Sequence, residues 1–380
     1  MRRLLPVSLS MLAIAGGVVT ATAGTATAHG PVPAPAGSTA ATFTSRVFAS
    51  GSRIAHPTAK GRVRITQPDD ITRLDGHIYA AFQNGVGPQG QPNPAGNTDS
   101  TVVEFNHAGR RVAQWDIAGH ADGLTADPAM HGVIATVNED AHSSVFVIST
   151  HGAVVHYAFS RPLPSKGGTD AISIDHGMVL ISASAPGTTG KPAPQATYPA
   201  VYRATFHART RTVSVRGLFG DEAPATVANA GSTQGKTVHL ALTDPDSNEV
   251  VPAWAPRFAG DFMLTSQGDE EQIFRNPSGA LSVLKLTASV DDTAWPSARR
   301  GTLYVTDNGG DTVDAVTGPF VRGSVVAAVT PCDENGAPGT CPAKGYPANY
   351  LGTINPTTGQ IARLPVKGHL PDAHGLLFVG

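Results

Sequence analysis

The chain has 380 residues, with 27 Lys and Arg against 29 Asp and Glu and a formal net charge of −2. It has no basic run, and so lacks the electrostatic footprint of a nucleic-acid binder. Its 42 glycines and 30 prolines imply many turns, and Val, Ile, Thr and Phe outweigh helix-period patterns, which points to an all-β fold.

In chain order, residues 1–28 read as a secretory signal peptide. Arg2 and Arg3 precede an apolar, small-residue stretch, and Ala26-Thr27-Ala28 offers a small-x-small cleavage site. The apolar core is too short and too rich in Gly and Ala for a membrane span. A secreted mature chain cleaved after about Ala28 is therefore expected, with a retained anchor as the alternative. Residues 29–41 are Pro-, Ala- and Gly-rich and read as a disordered leader. Residues 42–380 are expected to form one domain.

Within that domain a pattern recurs. "PDDITRLDGHIYAAFQNG" begins at Pro68, "ADGLTADPAMHGVIATVNED" at Ala121, "TDAISIDHGMVLISASAPG" at Thr169 and "DDTAWPSARRGTLYVTDNGG" at Asp291. Each has an Asp, a short apolar strand, a turn and a stronger apolar strand. "PDAHGLLFVG" closes the chain after one strand, and "ATVANAGSTQGKTVHLALTDPDSN" reads as a weaker copy with Asn229 in the Asp place. From Ala121 the unit continues through "SSVFVIS" and "AVVHYAFS", making four antiparallel strands. A four-stranded sheet that is apolar on both faces needs neighbours on both sides, and a period near 50 residues in a β-rich chain predicts a propeller. Six four-stranded blades fit the length, with five or seven also compatible. Pairing of the C-terminal strand with N-terminal strands from "ATFTSRVFAS" and "GRVRITQ" is expected to close the ring. Long Pro- and Gly-rich inserts, among them "PQGQPNPAGNTD" and "DSNEVVPAWAPRFAGD", are expected to decorate one face. Cys332 and Cys341 are expected to pair as a disulfide clasping a loop, contributing roughly 2.5–3 kcal/mol.

The repeated acids are Asp70, Asp122, Asp170, Asp292 and Asp372. As a carboxylate ring at one rim they would hold one Ca²⁺ or Mg²⁺, both oxygen-seeking ions. Equally, each could accept backbone N–H groups at its own turn. A second polar set follows the second strands: Gln83, Asn84, Asn138, Glu139, Ser182, Ser184, Asp244, Asp307 and Asn308. Asn84 is counted with the ligand-binding rim, and turn formation is the alternative for the whole set. There is no Gly-x-Ser-x-Gly elbow and no His-Glu-x-x-His, which removes the signatures of two hydrolase classes.

"DGLTADPAMHGVIATV", "PDDITRLDGHIYAAF" and "GTLYVTDNGGDTVDAVTG" resemble the propellers of the NHL, gluconolactonase-like and streptogramin-lyase group. The gluconolactonase-like branch implies a divalent cation held by Glu, Asn and Asp, which carries over to Glu139, Asn138 and Asp307. The lyase branch implies a His base, for which His374 is the nearest match. Two functions follow as expectations. One is a secreted, monomeric binding module for a small molecule, glycan or protein. The other is a metal-dependent lactonase or lyase.

Overall fold

The computed structural model describes residues 42–58, 61–164, 167–184, 198–331, 348–370 and 372–380. The expected signal peptide, the leader and the Cys332–Cys341 pair lie outside the described residues. Ala41–Gly380 forms one compact unit. Among the described residues the fold is all-β, apart from a 3-10 turn at Gly51–Arg53, and no helix is long and apolar enough to cross a membrane.

The unit opens with β1 (Phe43–Ser50), followed by a hairpin of β2 (Ala55–Thr58) and β3 (Gly61–Arg64). Next come β4 (Pro68–Leu74), β5 (His77–Phe82), β6 (Asp99–Phe105) and β7 (Arg111–Ala118), which pair in that order as one antiparallel sheet. The same plan repeats in β8 (Ala121–Asp127), β9 (Gly132–Val137), β10 (Ser144–Ser149) and β11 (Val154–Phe159). It repeats again in β12 (Ile172–Asp175), β13 (Met178–Ser182), β14 (Pro199–His207) and β15 (Thr212–Gly220). β16 (Pro224–Val227) and β17 (Thr237–His239) then form the outer edge of a sheet continued inward by β21 (Leu281–Lys285), β20 (Glu271–Arg275), β19 (Phe262–Ser266) and β18 (Pro245–Val250).

The last ninety residues interleave two sheets. β22 (Val290–Ala294), β25 (Val325–Val329), β26 (Tyr350–Ile354) and β27 (Ile361–Arg363) make one. The other runs, from its inner edge outward, β29 (Ala373–Val379), β23 (Thr302–Asp307), β24 (Thr312–Thr317), β1 and β28 (Val366–Gly368).

Second strands such as "GVIATV" and "VVAAV" are buried along their whole length, as expected for sheets covered on both faces. Six apolar clusters lie between successive sheets. One joins Leu74 and Tyr79 of the first sheet to Val133 and Phe146 of the second. Going round, another joins Val313 and Leu377 of the last sheet to Ile78 and Phe82 of the first. The strands at the inner edges touch in sequence: β4 with β8, β8 with β12, β12 with β18, β18 with β22, β22 with β29, and β29 with β4.

Three details depart from the sequence reading. β1 and β29 share a sheet but are separated by β24 and β23, and β3 pairs with β2 alone. β22 pairs with β25, not with β23. In the fourth repeat, the inner strand is β18, inside the stretch expected to be a surface insert. "TVHLALT" contributes only the edge strand β17, and Asn229 is engaged elsewhere, donating to the carbonyls of Lys285 and Thr358 at 2.8 Å each. The cause is compositional: β18 reads Pro-Asp-Ser-Asn-Glu-Val, and a strand that lines a polar channel carries no apolar run to find.

Candidate functional site

Five of the six inner strands carry a bulge at the same place. The register shifts between Pro68 and Ile71, Ala121 and Leu124, Pro245 and Asn248, Val290 and Thr293, and Ala373 and Leu376. A bulge sets two residues against one on the partner strand and re-aims a side chain. The first residue of each bulged pair is Asp69, Asp122, Asp246, Asp291 or His374. In the remaining strand the matching residue is Asp170, which pairs its backbone with Ser182 just ahead of β12.

These residues form a collar. Asp69, Asp122, Asp170, Asp246 and Asp291 line both an inner channel of about 220 Å³ and a wider mouth cavity of about 690 Å³ above it. His374 faces the mouth cavity, which is overhung by Gly85, Val86, Gly87 and Pro88 from the loop after β5.

Two imidazoles sit among the acids. His374 Nδ1 lies 2.7 Å from Asp291 Oδ2 and 3.5 Å from Asp69 Oδ1. His120 Nε2 lies 3.0 Å from Asp122 Oδ1 and 3.7 Å from Glu139 Oε1. Burial alone would lower both histidines. It is outweighed by Asp291 and Asp69 at His374, which is held well above the ordinary value, and by Asp122 and Glu139 at His120, which is held at about 10. The neighbouring carboxylates thus favour the imidazolium form of both rings. Burial pushes the carboxyls the other way. Asp69 is raised to about 6, while Asp170, Asp246 and Glu139 are raised well above the usual carboxylate range, with their acidic neighbours adding to the effect. This many buried and half-buried carboxyls so close together cannot all ionise without a compensating charge. Asp122 is buried, and its Oδ2 has no hydrogen-bond partner.

The acids singled out in the sequence divide between two roles. Asp122 and Asp170 are in the collar. Asp70 and Asp292 occupy the second place of their bulges, line the inner channel but not the mouth cavity, and accept backbone N–H groups. Asp70 takes Ile71 at 2.6 Å and, from the next inner strand, Leu124 at 2.5 Å. Asp292 takes Thr293 at 2.7 Å and Leu376 at 2.6 Å. Asp372 lines the mouth cavity and accepts Asn349 Nδ2 at 2.6 Å.

Asn84 and Asn138 both end a second strand with positive φ, 57° and 68°. Their amides are spent locally: Asn84 accepts Thr66 N–H and donates to Asp99 O and Thr101 Oγ1, while Asn138 accepts His120 N–H and donates to His142 O. Asp307 lies away from both cavities, against Asp314 and His369. Of the cation set implied by resemblance, only Glu139 stands at the mouth. Asn138, Glu139 and Asp307 do not converge, so that set does not fit a shared ion, whereas the oxygen-rich collar with its orphaned Asp122 Oδ2 does fit a hard cation.

The collar residues missed in the sequence are Asp69, Asp246 and Asp291. The available signal was the doubled acid in "PDDI" and "VDDT", which hides which of two neighbours faces inward.

No family model matches the chain, and no curated protein does. Solved structures do. The periplasmic gluconolactonase of Pseudomonas aeruginosa matches at 12% identity and TM-score 0.46, over 89% of this chain and 99% of that one. Virginiamycin B lyase from Staphylococcus aureus matches at 10% identity and TM-score 0.34, over 73% and 100%. A protein of unknown function from Bacteroides caccae matches at 10% identity and TM-score 0.45, over 84% and 89%. The two enzymes fall in the groups that the sequence resembles. At such identities and TM-scores, nothing about activity carries over.

Proposed function

We propose that the protein is a secreted six-bladed propeller, closed through the sheet that holds β1 and β29, which binds a small oxygen-rich ligand such as a sugar or sugar acid through a divalent cation at the channel mouth. One observation carries this reading: six matching inner-strand positions bear five aspartates, which line both cavities, and a histidine, which faces the mouth cavity.

The residues that would hold the ion are those whose donor atoms already stand close together, Asp122 with Glu139 and His120, or Asp69 with Asp291 and His374, with Asp170 and Asp246 lining the same cavities. When bound, Ca²⁺ or Mg²⁺ supplies a positive centre that takes ligand oxygens directly. Without it, protons on the buried acids and the imidazolium groups of His120 and His374 balance the charge. Gln83, which donates to Asp122 Oδ1 at 3.2 Å, keeps that carboxylate pointed at the collar. The overhanging Val86–Pro88 backbone narrows the cavity and selects for a small ligand.

Titration calorimetry with Ca²⁺ and Mg²⁺ in two buffers of different ionisation heat tests this. Binding should release protons, and Asp170→Asn and Asp122→Asn should each weaken it at least tenfold. A wild-type protein that shows no binding heat and no cation-dependent melting would sink the proposal.

A second reading, a metal-dependent lactonase or lyase, draws on the position of His374 at the mouth cavity. Held protonated between Asp291 and Asp69, it is suited to donate a proton and not to abstract one. Turnover in a lactone and ester panel, lost with EDTA and in His374→Gln, would select this reading over passive binding.

A further inference from the structure

We propose that Asp307, Asp314 and His369 form a second cation site, for a divalent transition-metal ion of the Zn²⁺ class, that fastens the loop between β28 and β29 to the β23–β24 hairpin.

Asp307 ends β23 and Asp314 lies within β24. Both are fully buried, while His369 reaches them from the loop and is partly exposed. One ligand atom from each of the three lies within 4.8 Å of the others. His369 Nδ1 is 3.1 Å from Asp307 Oδ2 and 3.0 Å from Asp314 Oδ2. Donors around a tetrahedral Zn²⁺ with bonds of about 2.0–2.1 Å stand roughly 3.3 Å apart; the two distances from His369 are near that spacing, and the two carboxylates lie within 4.8 Å of each other.

The hydrogen bonding leaves a gap that such an ion fills. Nδ1 carries at most one hydrogen, and it can serve only one of the two carboxylates well. Asp307 Oδ2, one of the three donor atoms, is buried with no hydrogen-bond partner, and so is Asp314 Oδ1, the second oxygen of the other carboxylate, a costly state for an acid. The other oxygens are engaged: Asp307 Oδ1 accepts the N–H of Gly310 and of Asp372, and Asp314 Oδ2 accepts Thr312 Oγ1 at 2.9 Å. Those bonds fix both carboxylates, as second partners do for metal ligands.

Gly310 supplies the space. A Cβ there would stand 2.6 Å from Asp307 Oδ2 and 2.8 Å from His369 Cε1. The mixed carboxylate and imidazole set favours Zn²⁺, Co²⁺ or Mn²⁺ over Ca²⁺ and Mg²⁺. The site shares no residue with the collar.

Thermal unfolding of the full chain, with and without Zn²⁺, tests the proposal in four forms: wild type, Asp314→Asn, His369→Ala and the collar variant Asp170→Asn. Zn²⁺ should raise the melting temperature of wild type and Asp170→Asn by several degrees and leave Asp314→Asn and His369→Ala unmoved. Co²⁺ should give wild type a visible d–d absorption band that His369→Ala lacks. His369 is partly exposed, so its loss spares folding and keeps the comparison sound even if Asp314→Asn misfolds. An equal Zn²⁺ response in wild type and His369→Ala, or no response in wild type, overturns the second site. Loss of the response in Asp170→Asn alone assigns the ion to the collar instead and overturns it too.

Discussion

Four of the six contacts between neighbouring inner strands are made in two different ways; at the other two, Ser247 donates to Asp291 O and Asn248 donates to Ala171 O. From β4 to β8 and from β22 to β29, the residue after the collar is an aspartate, Asp70 or Asp292, whose carboxylate spans two strands and accepts an N–H from each. From β8 to β12 and from β29 to β4, the same place holds Gly123 or Gly375, and the backbones close up. A Cβ on Gly123 would lie 2.6 Å from Asp170 O, and one on Gly375 would overlap Asp69 O. There the bridge is a threonine of the second strand: Thr136 donates its hydroxyl to Asp170 O, and Thr306 donates to Asp69 O. One sequence position thus sets strand spacing by two means, a carboxylate that reaches across or a missing side chain that lets the neighbour in.

This contrast can be broken from either side. The largest effect is expected for Gly123→Val, which forces side-chain atoms against backbone and should cost about 3–5 kcal/mol in urea unfolding. A cost under about 1 kcal/mol would mean that the close approach is unnecessary. Asp70→Ala and Asp292→Ala should each cost about 2–4 kcal/mol, because two backbone N–H groups lose their acceptor.

Glu249 lies deeper in the channel. Burial raises its pKa from 4.5 to about 7 against the hydrogen bonds from Thr293 and Trp295. A carboxyl raised in the fold is neutral and harmless below its unfolded pKa. Its ionisation then subtracts stability between about pH 4.5 and 7, and the loss is complete above that range. Glu249→Gln should therefore be more stable than wild type at pH 8, by up to about 3 kcal/mol, and match it at pH 4. A gain that is the same at both pH values would rule out ionisation as its cause.

Asp170 receives only unfavourable contributions, burial first and then Asp122 and Glu139. Asp170→Asn should thus stabilise the EDTA-treated protein at neutral pH, the opposite sign to Asp70→Ala. The smallest loss is expected for Thr136→Val, about 1–2 kcal/mol in urea unfolding, because its buried hydroxyl accepts Gly123 N–H and donates to Asp170 O.

Much of the fold was legible because second strands are buried on both faces and spell this out in runs such as "GVIATV" and "HIYAAF". The site was legible only where a single acid stood at the collar position, as at Asp122 in its bulge and Asp170 just ahead of β12. In "PDDI" and "VDDT" two acids compete, and only the bulge decides that Asp69 and Asp291 face the collar while Asp70 and Asp292 bind backbone. Asp246 escaped because β18 is polar throughout. His374 was singled out by resemblance, and its place opposite Asp291 follows from the register of β29 against β23.

The register of β1 has a consequence for synthesis. Thr44 pairs with Thr317 and Ser50 with Thr312, so β1, the first of the described strands, meets its β24 partner only after most of the intervening residues have been made. Its edge is open to other strands through that interval. Assembly of this sheet is thereby a late, long-range step, sensitive to anything that delays β23, β24 and β29.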